Sequence, residues 1–229
     1  MKTVSACDRM ELFFRIFITG SLFSLFGLVL ALDQNNPHAI WTTAYSMEGP
    51  NEIAQNNLLT MIPEVREEWR LSFEVNPRDY SFKGYASLLH LTIGGNRGEV
   101  GDRSPAIWLH RTRGVLVSAS IDGKASYSKT VKPLPPAGMW TRLEVSQTLA
   151  GKEHMFSITI GNNKVFTKRN TKPIMLKDVE VYSGSPWYTN QKGLLRNLTF
   201  ETKTPTCVLA GKTKFNFKKG SYRCFFFTV

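Results

Sequence analysis

A chain of 229 residues, 42% hydrophobic and 21% charged, has the length and composition of one globular domain with an ordinary packed core. Such a chain needs neither a metal nor a dense disulfide framework to fold, and three cysteines are too few for the latter. The net charge of +11 points to polyanionic company: nucleic acid, acidic glycan or anionic headgroups.

Residues 16–32 read IFITGSLFSLFGLVLAL without a charge, after basic Lys2, Arg9 and Arg15 and before Asp33. With the small residue Ala31 closing the run, residues 1–31 read as a secretory signal peptide. A retained membrane anchor is the alternative, because the run is near the length of a short spanning helix. An extracellular setting removes nucleic acid from the partners, and membrane contact follows only if the segment is kept. Residues 32–68 form an N-terminal lead-in, with Asn51–Glu68 either a short helix or irregular.

From Trp69 to Thr202 strand follows strand. Trp69–Val75 (WRLSFEV) alternates large apolar with polar residues, placing one face in a core. Ala86–Ile93 (ASLLHLTI) is more continuously apolar, as a central strand would be. Ala106–His110 and Val115–Ile121 follow, and Asp122-Gly123 makes a hairpin turn into Ala125–Val131. Met139–Gln147, Met155–Ile160, Lys164–Lys168, Val179–Tyr182 and Leu194–Glu201 complete about ten short strands. Trp69, Trp108 and Trp140 sit in strand patterns and are assigned to core packing. Alternating antiparallel strands must hide their apolar faces on a second sheet, so the fold class is all-β, an antiparallel sandwich of two stacked sheets spanning 69–202.

The tail, 203–229, carries Lys203, Lys212, Lys214, Lys218, Lys219 and Arg223 with no acidic residue. It reads either as a solvated extension or as a holder of acidic polysaccharide whose grip weakens with salt. Cys7 leaves with the signal. Cys207 and Cys224 remain as one disulfide in an oxidising compartment, or as two free thiols. Asn197-Leu198-Thr199 is an N-glycosylation sequon.

Chemistry is scarce. Hydrolysis of a glycosidic bond needs two carboxylates facing one cleft. Among the acidic groups, Glu64/Glu67/Glu68 lie outside the clear strands, and Asp178/Glu180 share a strand face but stand at a strand start. The four histidines are scattered, without zinc-type spacing. Ser185-Pro186-Trp187-Tyr188 is an aromatic loop suited either to stack on a sugar or anchor a protein, or to cap the core.

Four stretches carry a family likeness: EEWRLSFEVNP; GGNRGEVGDRSPAIW; PLPPAGMWTRLEVSQ; and the closing Gly193-Leu194-Leu195-Arg196-Asn197-Leu198. Together with SGSPWYTNQKG they resemble the concanavalin A-like lectin/glucanase superfamily, and within it laminin-G-like extracellular domains of animals, over about 135 residues. The resemblance implies a jelly-roll sandwich that binds a carbohydrate or an extracellular protein. A structural extracellular-matrix component held to acidic polysaccharide is the alternative, and a glycoside hydrolase is a remote one. It further implies a rim site in which Asp102 and Asn170 hold calcium, the one cofactor left open. Against calcium, Arg97 and Arg103 flank Asp102, which would instead pair with one of them or cap its own turn. Trp187, Tyr188, Arg97 and Arg103 are the candidate ligand-binding residues.

Overall fold

The computed structural model describes residues 39–205. Residues 1–31, read above as a signal peptide, Cys207, Cys224 and most of the basic tail lie outside them. The chain divides into two units: Trp41–Lys203, and Met1–Ile40 with Thr204–Val229. Of the second unit only residues 39–40 and 204–205 are described, where the Thr204 hydroxyl donates to the Ile40 carbonyl at 3.4 Å.

All-β organisation holds throughout, with thirteen strands and no helix among the described residues. They are β1 (Ala39–Met47), β2 (Asn51–Glu52), β3 (Asn57–Val65), β4 (Trp69–Pro77), β5 (Tyr85–Thr92), β6 (Ala106–His110) and β7 (Gly114–Ile121). β8 (Lys124–Val131), β9 (Thr141–Ala150), β10 (Glu153–Ile160), β11 (Asn163–Asn170), β12 (Leu176–Ser183) and β13 (Gly193–Pro205) follow. One sheet runs β1-β13-β4-β9-β10-β11, with β2 also on β13; the other runs β3-β12-β5-β6-β7-β8. This two-sheet antiparallel sandwich is the architecture that the family resemblance implies.

The period of two builds the core. Trp69, Leu71, Phe73 and Val75 point inward from β4, beside Leu143 and Val145 of β9 and Phe156, Ile158 and Ile160 of β10. They meet Leu89 and Leu91 of β5, Ile107 and Leu109 of β6, and Val115, Val117 and Ile121 of β7. Each of these larger side chains contributes about 1.5–3 kcal/mol through burial.

Two expectations are corrected. Residues 39–65 supply three strands of the sandwich and are no lead-in, and Asn51–Glu68 holds no helix but β2, β3 and short turns. β3 is the edge strand of the six-stranded sheet, paired with β12 from Val65↔Leu176 to Asn57↔Ser183, and Ile62 and Val65 are in the core. A bulge opposite Val181/Tyr182 breaks its alternation, Pro63 interrupts it, and Leu58 and Met61 face outward as an edge allows. Trp140 lies before β9, half-buried, with the Arg196 guanidinium 4.2 Å from its ring centre; it is not a core residue.

β5 is buried along seven of its eight residues because both its faces are covered. Its inner face meets the other sheet. Its outer face is roofed by two loops, residues 93–105 and 184–192.

Candidate functional site

Leu89 and Leu91 point into the core, so His90 between them points out. The same alternation turns Trp108 outward between Ile107 and Leu109. Trp108 is buried, as expected, but under the roof loops and not in the core.

The 184–192 loop is stitched to β5. Ser87 N–H donates to the Thr189 carbonyl at 2.8 Å, Gln191 N–H to the Ser87 carbonyl at 2.9 Å, and Gly184 N–H to the Leu88 carbonyl at 2.8 Å. Asn190 Oδ1 accepts the Ser185 N–H at 2.7 Å and closes the loop on itself. The 93–105 loop is tied by the Thr92 hydroxyl, which donates to the Gly95 carbonyl at 2.5 Å, and by Gly101 N–H, which donates to Ser120 Oγ at 2.9 Å.

His90 joins the two loops. Its Nε2 lies 2.9 Å from the Asp102 carbonyl, which can only accept, so Nε2 carries the hydrogen. Nδ1 then accepts from the Ser185 hydroxyl at 3.3 Å, and Ser185 Oγ in turn accepts the Trp187 N–H at 3.2 Å. The ring packs edge-to-face on Trp187 (5.1 Å) and Trp108 (5.8 Å). Ser185 is fully buried, and His90 is spent on a carbonyl and not on a carboxylate, so the pair ties loops together and does not make a nucleophile with its base.

Burial pushes the His90 imidazole down to about 4 from its ordinary 6.5. The unfolded chain takes up a proton near 6.5 and the folded one only near 4, so stability is full above that window and drains away as pH falls through it. Melting temperature should therefore fall from about pH 6.5 toward about 4 more steeply in the parent than in His90→Gln; equal slopes would exclude this role.

Arg103 is the second organiser. Its Nη2 donates to Tyr188 Oη at 2.6 Å, Nη1 to Ser126 Oγ at 3.1 Å and Nε to the Asn96 carbonyl at 3.0 Å, with the guanidinium 4.9 Å from the Trp108 ring centre. Tyr188 stands edge-on to Trp108 at 5.7 Å. Arg103, Trp187 and Tyr188 are thus brought onto one face. Arg97 lies exposed on the 93–105 loop, without an ion pair among the described residues.

No family model matches the chain. No curated protein matches it either. Solved structures similar to it include the native heptameric SAP-like pentraxin of Limulus polyphemus, at 11% identity and TM-score 0.45, covering 68% of this chain and 73% of that one. The Ruminococcus gnavus IT-sialidase CBM40 bound to α2,3-sialyllactose is similar at 9% identity and TM-score 0.46, covering 67% and 91%. Domains LG4–5 of the mouse laminin α1 chain follow at 18% identity and TM-score 0.40, covering 72% and 42%. All are likenesses of fold.

The residues present do not fit calcium. Asp102 is buried, its Oδ2 accepts the Glu99 N–H at 2.8 Å, and its carboxylate fills the space beside Gly95. It caps its own turn, while the Arg103 guanidinium reaches elsewhere. Asn170, at the end of β11, has its Oδ1 filled by the N–H groups of Asp122 (2.9 Å) and Lys172 (3.1 Å), and its Nδ2 donates to Gln147 Oε1 at 2.6 Å. Asp102 and Asn170 share no partner. Among the described residues no cluster of three or more His, Cys, Asp or Glu side chains is gathered for a metal. EDTA should leave the melting temperature within about 1 °C; a clear fall would restore a calcium site.

The acidic candidates are dispersed too. Asp178 stands exposed at φ +51°, and Glu180 Oε2 accepts from the Tyr182 hydroxyl at 3.0 Å. Glu64 pairs with Arg66 and Glu68 with Lys203. Asn197 is exposed at the β13 bulge between Arg196 and Thr199.

The sequence reading missed His90, Ser185 and Ser126. The histidine inside the largely apolar run ASLLHLTI was the available signal: an imidazole in a strand buried on both faces must find partners for its two nitrogens.

Proposed function

We propose that this chain is an extracellular, non-catalytic binding module that takes a carbohydrate on the outer face of the six-stranded sheet, with Trp187 as the stacking platform. The observation that carries this reading is the exposure of Trp187, 40%, on a loop whose neighbouring residues Ser185, His90 and Gln191 are fully buried. Its backbone N–H is held by Ser185 and its ring rests on His90. The ring is therefore placed before any ligand arrives, and little ordering cost remains to be met on binding. An indole face suits the C–H face of a sugar ring. The Tyr188 phenol accepts from Arg103 and keeps its own hydrogen to donate. A glycan on the exposed Asn197 would be a modification of the other sheet and leave this face open.

Trp187→Ala should weaken binding to sugars on a glycan array by about tenfold or more while leaving the melting temperature almost unchanged. Binding should be saturable and survive a rise from about 0.15 M to about 0.5 M salt. Binding confined to sulfated polymers and abolished by that salt would favour instead a matrix component held through its basic surface. Turnover of polysaccharide would make it an enzyme.

A further inference from the structure

The face continues beyond Trp187 into an unassigned second surface. Trp108 pairs with Leu116 and Leu116 with Thr130; Ala106 pairs with Ser118 and Ser118 with Ser128. Val115 and Val117 point into the core, so Leu116, Ser118, Thr130 and Ser128 all point outward across β7 and β8. They form a shelf. Tyr188 and Arg103 bound it on one side, through the bond from Arg103 to Ser126 at 3.1 Å. Tyr85 and His110, packed edge-to-face at 4.6 Å, bound it on the other.

The shelf floor carries hydroxyls in an ordered array. Ser118 and Ser126 are 2.8 Å apart, and Ser128 donates to Ser118 at 3.1 Å. That leaves the acceptor lone pairs of the exposed Ser128 open to solvent. The half-buried Thr130 hydroxyl has no protein hydrogen bond among the described residues. Leu116 supplies one half-buried apolar contact among them. Aromatic walls, a guanidinium and a floor of fixed hydroxyls form a surface that matches another ring of alternating C–H and O–H groups. A metal ion, lacking carboxylates here, would find no partner, and a hydrophobic peptide would strand the hydroxyls.

We propose that this shelf is a second sugar subsite, so that the ligand is an oligosaccharide lying across the strands from Trp187 to Ser128 and Thr130. The proposal rests on the reading of Trp187 as a sugar platform. From β5, beneath Trp187, to β8 there are three inter-strand steps, about 14 Å, the reach of about three linked pyranose rings. Chain length is therefore the specificity the geometry writes into the site: the first ring stacks on Trp187, the middle one passes Tyr188 and Arg103, and the last hydrogen-bonds on the shelf.

The test uses the mature full chain and soluble gluco-, galacto-, manno- and N-acetylglucosamine oligosaccharides, each from monomer to tetramer, by calorimetry. In the series that binds, affinity should rise about tenfold or more from monomer to trimer and then level off. Ser128→Ala with Thr130→Val, both partly exposed positions, should flatten that rise and leave monomer affinity as it was. Trp187→Ala should weaken every length. Equal affinity for monomer and trimer, or a length dependence untouched by the shelf variant, would discard the second subsite while keeping the platform. Failure of all four series to bind would remove both.

Discussion

Phe200→Ala is expected to destabilise the sandwich by about 3–5 kcal/mol, which for a domain of this size lowers the melting temperature by about 10 °C. Phe200 is fully buried in β13, stacked on Trp69 with ring centres 6.1 Å apart and planes 14° from parallel. Trp69 in turn meets Phe156 of β10 edge-on at 6.3 Å. Three strands of one sheet are therefore locked by one aromatic cluster centred on Trp69, and removing the Phe200 ring from its end leaves a cavity that the two remaining rigid rings cannot collapse into. The lost stacking adds about 0.5–1.5 kcal/mol to the area term. Urea unfolding at neutral pH reads the change directly. A loss below about 1 kcal/mol would mean that the cluster repacks and that the core is looser than its geometry indicates. Because Phe200 lies on the sheet opposite the candidate site, Trp187 should keep its place in the folded fraction.

Legibility in the sequence followed burial geometry. β4 and β9 were readable because one face is core and the other solvent, which is the condition for alternation to appear in the residues. β5 was readable as a central strand because both faces are covered. That same double cover hid the meaning of Trp108 and His90: buried residues on the far face of a strand carry no mark that separates them from core residues. β1 has no fully buried residue, and β3 is an edge interrupted by a bulge and by Pro63, so neither shows a period. At the site, Trp187, Tyr188, Arg97 and Arg103 stood out as aromatic and basic residues in loops. Their connection did not. The contact of His90 with Ser185 spans 95 positions and depends on register, which composition and spacing leave open. Asp102 and Asn170 show the converse. Both are residues that ligate cations, yet each accepts backbone N–H groups, Asp102 from Glu99 and Asn170 from Asp122 and Lys172, and only the hydrogen-bond partners reveal it.

Gly184→Ala is expected to cost about 2–4 kcal/mol and to abolish sugar binding along with it, because this glycine is where the platform loop leaves β12. Its φ is +91°, a backbone conformation that strains any residue with a Cβ. The added methyl would also stand 2.6 Å from Asn190 Oδ1 and 2.5 Å from the Ala54 carbonyl oxygen. Neither can yield cheaply: Asn190 Oδ1 holds the Ser185 N–H at 2.7 Å, and Ala54 belongs to the backbone. If Asn190 gives way, Ser185 loses the bond that fixes it, and with Ser185 goes the hydroxyl that holds both His90 and the Trp187 N–H. Gly138→Ala is the control. There φ is +75° but nothing lies within 4 Å of the new methyl, so only the backbone strain of about 1 kcal/mol should appear, with binding intact. The two variants together separate conformational strain from steric collision. Were Gly184→Ala to bind sugars like the parent, Trp187 would not depend on the Asn190–Ser185–His90 chain, and the preorganised platform would have no structural basis.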